Sequence, residues 1–259
     1  FLIYFNREKI SKKLSVQDIP DENRKIHKFP TPKTASYSMA LVFLIFLISN
    51  YLFKFYNLPE YNFLVFGTIM IFFIGYFDDK YKLSALNKII LVSLVTLMLC
   101  MISDKFIIDQ FYIKTFDFFF KLEEFSIIFT ILCVLCLVNA LNLADGINGL
   151  AIGIIFFWLI YLNKIYINNI DNFIFFIIFA NLILIFFHNY LGRHFLGDAG
   201  SLMFSAFVAF LTIYLHNLNI ENPTFLISSE SLAIIFLIPI IDMLRLFFER
   251  RRNNKDPYS

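Results

Sequence analysis

FSIIFTILCVLCLVNALNLADGINGLAIGIIFFWLIYL (Phe125–Leu162) holds two apolar runs joined by a short loop in which Asp145 sits among Asn and Gly residues. The first run, Phe125–Leu141, is apolar on every face and has about the length a helix needs to cross a bilayer, roughly 17–25 residues. A barrel strand would occupy about ten residues and alternate in polarity, so the run reads as a helix. Working outward, the same pattern recurs in Tyr37–Phe53, Tyr61–Phe77, Ala85–Ser103, Phe173–Tyr190, Leu202–Leu218 and Leu232–Phe248. With Phe125–Leu141 and Gly149–Leu162 these make about eight transmembrane helices. The expected fold class is all-α, a polytopic integral membrane protein.

Composition excludes the main alternatives. Charged residues make 16% of the 259 positions and hydrophobic ones 59%, against roughly 25% charged in a soluble domain. A chain with 36 Phe cannot hide its apolar surface in a soluble fold of this size, which excludes a cytosolic enzyme. Eight Gly and three Cys exclude collagen and a disulfide scaffold. The chain opens at Phe1 instead of Met and stops at Ser259 just after a basic run, which reads as a fragment. The expected organisation is a single transmembrane domain over residues 1–259. Residues 1–36 form a first cytoplasmic loop region, 37–248 the bundle and 249–259 the start of a last cytoplasmic loop.

Basic residues set the orientation. Seventeen of the 22 Lys and Arg fall on one side of the alternating spans, among them Arg7, Lys33, Lys80, Lys88, Arg193 and Arg250–Arg252. Lys54, Lys105, Lys114, Lys121 and Lys164 fall on the other. The richer side is therefore cytoplasmic. On the outer side, FIIDQFYIKTFDFFFK (Phe106–Lys121) reads as an interface-lying hairpin or amphipathic turn.

Acids near a membrane are costly and point to function. Asp78 and Asp79 follow the second span in FDDKYKLSALNK (Phe77–Lys88), Asp145 follows the fourth, and Asp198 follows the sixth in FLGDAGS (Phe195–Ser201). Alternating topology brings all four to the cytoplasmic face. Two adjacent like charges at 78 and 79 need a metal or a Lys to relieve them. No His/Cys cluster suits zinc, whereas Mg²⁺ takes carboxylate oxygens and keeps positions for substrate phosphates. A carboxylate-held metal at the lipid–water boundary suits phosphoryl transfer. Gly146, Gly149, Gly197 and Gly200 let backbone approach a phosphate closely.

Other positions have plainer readings. Cys133 and Cys136 are small helix-packing residues and no redox pair, and Gly149 with Gly153 has the spacing of a close helix contact. His188 and His194 read as interfacial or substrate-facing, His216 as structural. Asp242 and Arg245 read as an ion pair.

Taken together and in this order, the motifs RKIHKFPTP (Arg24–Pro32), FDDKYKLSALNK, VNALNLADGINGL (Val138–Leu150), FLGDAGS and PIIDMLRLFFERRRNNKDPYS (Pro239–Ser259) resemble the polyprenyl-phosphate N-acetylhexosamine-1-phosphate transferase family. The resemblance implies transfer of a sugar 1-phosphate, GlcNAc-1-phosphate or a related N-acetylhexosamine, from a UDP-sugar to undecaprenyl phosphate. The products are undecaprenyl-diphospho-sugar and UMP, the reaction initiates cell-envelope polysaccharide synthesis, and Mg²⁺ is the cofactor. It implies a multi-pass protein of the inner (plasma) membrane with a cytoplasmic active site, with membrane lipid as surroundings and a homodimer as a compatible assembly. By position, Asp198 would ligate Mg²⁺ with Asp79. Asp78 and Asp79 would place the lipid phosphate, with Asp78 as its base. Asn142 and Asp145 would serve the nucleotide–diphosphate side, with Asn148, Gly146 and Lys88 binding substrate. Direct attack and an acyl-phosphate intermediate both remain open.

Three features depart from the family. Many members carry a second Asp at the position of Asn148. PTPKTASYS (Pro30–Ser38) stands where a Pro followed by a Gly pair is commoner, and the family's His-rich motif would fall beyond Ser259. The alternatives are a phospho-MurNAc-pentapeptide transferase and, from another class, a membrane transporter. A transporter would place ionisable groups near mid-bilayer on broken helices, and here the spans are nearly free of acids.

Overall fold

A computed structural model describes residues 2–20, 29–54, 59–165, 172–221 and 228–253. The motif residues Arg24–Lys28 and the tail after Asn253 lie outside the described residues. All eight apolar segments are helical: α3 (Tyr37–Phe53), α4 (Pro59–Tyr81), α5 (Ala85–Ile102), α6 (Ser126–Ala144), α7 (Leu150–Ile165), α8 (Asn172–Tyr190), α9 (Gly197–Glu221) and α10 (Ser229–Arg252). They are preceded by α1 (Leu2–Phe5), α2 (Arg7–Leu14) and a two-stranded pairing of β1 (Gln17–Asp18) with β2 (Thr31–Pro32). The first loop region is thus partly regular structure. Five helices, α4, α5, α6, α9 and α10, are long and apolar enough to cross a membrane by themselves, while α3, α7 and α8 are shorter apolar helices. The protein is all-α and polytopic.

Helix α9 is the axis of the bundle, with α4, α6 and α7 packed around it. Its apolar window is wholly enclosed, whereas that of α10 is 11% buried. The sequence accounts for this: GDAGSLMFSAFVAF (Gly197–Phe210) interleaves Gly, Ala and Ser with large apolar residues, so neighbouring backbones come close. At the tightest crossing, a Cβ on Gly75 of α4 would overlap the backbone of Asp198 and Ala199. Peripheral helices turn large apolar side chains outward. Leu41, Ile45, Ile48 and Leu52 of α3 are each more than half exposed and run down one stripe, the surface that lipid satisfies.

Phe106–Lys121 forms a hairpin, β3 (Gln110–Ile113) antiparallel to β4 (Phe118–Lys121). His216 Nε2 meets the Gln110 carbonyl at 3.0 Å, and Asn217 Nδ2 donates to the carbonyls of Lys105 and Ile107 at 2.9 and 2.8 Å. His216 therefore has the structural role expected of it.

Three boundaries move relative to the sequence reading, each for a local reason. Helix α4 continues through Asp78 and Asp79 to Tyr81, because the Asp78 carboxylate accepts the Leu83 amide at 2.7 Å and closes the helix end. Helix α9 starts at Gly197 instead of Leu202, so Asp198 occupies its first turn, where the helix dipole favours an acid. Helix α10 starts at Ser229, capped by the Ser228 hydroxyl, and absorbs the basic run to Arg252. Arg245 Nε there pairs with Asp242 at 2.9 Å, as expected.

Candidate active site

The C-terminal turns of α4 and α6 and the first turn of α9 meet at one end of the bundle, bringing the three acidic motifs together. Asp79 has a fully buried side chain; its Oδ2 accepts the Ala199 amide at 3.0 Å and its Oδ1 accepts Lys33 Nζ at 3.1 Å. Asp78 Oδ2 accepts Lys88 Nζ at 2.8 Å, and the Asp78 and Asp198 carboxyl groups are in hydrogen-bonding contact. Gly197, at φ +67°, is required here: a Cβ would sit 2.6 Å from Asp79 Oδ2, and L side chains avoid this backbone region.

From α6, Asn142 Oδ1 accepts the Ser201 hydroxyl at 2.7 Å, which pins the Asn/Asp-Gly loop against α9. Asp145 closes α6, its amide donating to the Leu141 carbonyl at 3.1 Å. Part of the residue reaches solvent, yet its carboxyl is walled by protein. Burial, followed by the charges of Asp198 and Asp79, pushes that carboxyl well above the usual carboxylate range, with Lys33 opposing. Lys33 is raised: burial would lower it, but the Asp79 charge and hydrogen bond prevail.

Of the sequence-predicted residues, Asp78, Asp79, Lys88, Asn142, Asp145 and Asp198 converge. Gly146 and Asn148 lie on the exposed turn after Asp145, with Asn148 against Gly192. Gly149, at φ +84°, and Gly153 face Tyr190 and Phe186 of α8, the close contact their spacing foretold. His188 and His194 correct the reading of substrate-facing groups. His194 is fully enclosed, shares a 2.6 Å hydrogen bond with Thr34 and packs edge-on against Tyr4, while His188 stacks on that same ring at 4.6 Å. The reason is that loop 191–196 folds inward onto the stretch after β2: the Phe195 amide donates to the Pro32 carbonyl at 2.9 Å and the Ala35 amide to the Phe195 carbonyl at 3.3 Å.

Sequence reasoning missed Lys33, Ser201 and Asn189. Asn189 receives the Gly149 amide at 2.7 Å and donates to the His194 carbonyl at 3.2 Å, joining two site loops. Lys33 had a signal, the Lys in PTPKTASYS where a Gly pair is commoner.

The donor set can be tested against a divalent cation. Among the described residues no three His, Cys, Asp or Glu side chains form a preformed cage. However, four carboxyl groups stand with two ammonium groups, and the Asp78–Asp198 contact brings two acids together in a way that needs a proton or a cation between them. All-oxygen donors in an incomplete protein shell suit Mg²⁺, which binds through one or two carboxylates plus phosphates and needs no all-protein cage. The residues fit the ion.

The model of the family described as Glycosyl transferase family 4 matches residues 61–216, from the start of α4 into the last turns of α9. The chain belongs to glycosyl transferase family 4. The matched stretch holds every converging acid and Lys88, and excludes Lys33. A Bacillus subtilis (strain 168) relative of this chain, a probable undecaprenyl-phosphate N-acetylglucosaminyl 1-phosphate transferase, is 26% identical over 97% of the chain and 68% of its own length. The Escherichia coli (strain K12) undecaprenyl-phosphate alpha-N-acetylglucosaminyl 1-phosphate transferase is 26% identical over 100% of the chain and 70% of its own length. The phospho-N-acetylmuramoyl-pentapeptide-transferase of Dictyoglomus turgidum is 29% identical over 81% of the chain and 65% of its own length.

Proposed function

We propose that this protein transfers an N-acetylhexosamine 1-phosphate, GlcNAc-1-phosphate first among candidates, from its UDP derivative to undecaprenyl phosphate. The observation that carries the reading is the convergence of Asp78, Asp79, Asp145 and Asp198 with Lys33 and Lys88 at one end of an apolar bundle. Such a site suits the joining of a water-soluble diphosphate to a lipid phosphate at the boundary between their phases. The names of the B. subtilis and E. coli relatives supply the acceptor and the sugar.

In this reading an oxygen of the lipid phosphate attacks the β-phosphorus of the UDP-sugar. The bond from that phosphorus to the bridging oxygen breaks, and UMP leaves with the oxygen. Asp78 takes the acceptor proton where one is present, and Lys88, held at 2.8 Å from it, offsets the phosphate charge. Asp145 and Asn142 orient the nucleotide diphosphate, while Gly146 and Asn148 border its entrance. Mg²⁺ held by Asp198 with Asp79 would neutralise charge on the diphosphate. The chain acts as one transferase domain of about eight spans in the inner (plasma) membrane, its site cytoplasmic because the basic residues concentrate there.

UMP release from the protein in lipid nanodiscs, given UDP-GlcNAc, undecaprenyl phosphate and Mg²⁺, tests this. The expected result is release that needs both substrates and falls at least about 100-fold in Asp198→Asn, since a charge-stabilising contact of several kcal/mol is lost. Release with UDP-MurNAc-pentapeptide alone would move the substrate to that of the D. turgidum relative. Folded protein releasing no UMP from any such donor would overturn the transferase reading and revive the transporter.

A further inference from the structure

The two lysines of the site are mounted differently. Lys88 sits in the first turn of α5, where the Ser84 hydroxyl caps the helix, so its base is rigid. Lys33 extends from the stretch after β2. Its own amide donates to the Val16 carbonyl at 3.1 Å, and its neighbours are tied to loop 191–196 through Pro32, Thr34 and Ala35. Its backbone is therefore registered on two sides, while the four-carbon stem remains free to swing. The side chain is 25% exposed, whereas the Asp79 side chain it touches is fully buried. Its ammonium also lies 3.9 Å from Asp18, so it stands between two carboxylates at the mouth of the site.

We propose that Lys33 is a tethered counter-ion that occupies Asp79 Oδ1 in the substrate-free protein and passes to a substrate phosphate on binding. The proposal rests on the transferase reading, because a phosphate must enter for the exchange to occur. Electrostatics favours such a group beside Lys88. Asp79 is already satisfied by the Ala199 amide on one oxygen and by Lys33 on the other. A phosphate entering beside these acids is repelled by those that are ionised, and an ammonium turned towards it offsets that repulsion. An ammonium has three donors and acts as a point charge towards phosphate, so Lys33 reaches an anion at the mouth without any backbone shift. The chemistry recognised is a phosphate, whether that of the lipid or of the sugar nucleotide.

The test compares Lys33→Met and Lys33→Arg with the unaltered protein in nanodiscs, reading KM for each substrate, kcat, and binding of inorganic pyrophosphate by calorimetry. Lys33→Met is expected to raise KM for one substrate about tenfold or more, the worth of a charged hydrogen bond, with a smaller change in kcat. It should weaken pyrophosphate binding comparably, and Lys33→Arg should restore most of both. The substrate whose KM moves is the one Lys33 holds. Unchanged KM for both substrates and unchanged pyrophosphate affinity in folded Lys33→Met would overturn the proposal, as would a loss confined to kcat and thermal stability. If the unaltered protein releases no UMP, the transferase reading fails, and the pyrophosphate comparison still decides for or against Lys33 as a phosphate ligand.

Discussion

His194 illustrates how a single side chain can serve the site without entering it. It is fully buried, bonded to Thr34 and walled by the Tyr4 ring. Burial, followed by the positive neighbours His188 and Arg7, holds its imidazole down at about 3. An unfolded histidine titrates near 6.5, so the unfolded chain binds the extra proton first. The stability that neutral His194 provides is complete above about 6.5 and is lost progressively as pH falls towards about 3. Thermal unfolding between pH 7 and pH 4.5 should therefore show a Tm decline that His194→Gln reduces, because glutamine retains a hydrogen-bonding group and cannot titrate. An equally steep decline in the variant would assign the acid lability to other groups. None of this was legible in HNYLGRHF (His188–Phe195). The sequence placed both histidines near a membrane face, but it could not show that loop 191–196 turns inward.

At the scale of elements, the crossing of α4 and α9 governs the geometry of the carboxylates. Gly75 touches the backbone of Asp198 and Ala199, Gly197 leaves room for Asp79, and Gly200 packs against Ser36. Gly75→Val forces the helices apart where Asp198 and the Asp78–Asp79 pair meet. It should cost at least about 1–3 kcal/mol, the usual toll of overpacking, and should abolish UMP release even in folded protein. A folded, fully active variant would show that the acids tolerate separation of the helices. The acid-bearing helix ends could be read from the motifs alone, since each acid borders an apolar run and Asp145 and Asp198 also adjoin a Gly. Their continuation as helix could not. It depends on the Asp78 carboxylate receiving the Leu83 amide and on Asp198 beginning a helix instead of ending a loop.

For the whole molecule, the apolar exterior and the basic bias make a claim about sidedness. Lys82 follows the acidic end of α4, and Lys114 sits in the turn of the outer hairpin. In a variant lacking Cys100, Cys133 and Cys136, a membrane-impermeant thiol reagent should label Lys82→Cys only from the cytoplasmic side and Lys114→Cys only from outside. The reverse pattern would defeat the assignment of orientation.

By itself the sequence determined the class, since 36 Phe and eight charge-poor runs leave only a helical membrane bundle. It also singled out Asp78, Asp79, Asp145 and Asp198 as candidates, because charge beside lipid is costly and points to function. The tertiary structure decided what those acids touch. Lys33 reaches Asp79 across 46 positions, the Ala199 amide reaches it across 120, and Thr34 meets His194 across 160. Periodicity and local propensity carry no information about such separations. They are set by which small residues let α9 lie against α4, and by the turn of the 191–196 loop that brings the stretch after β2 over the site.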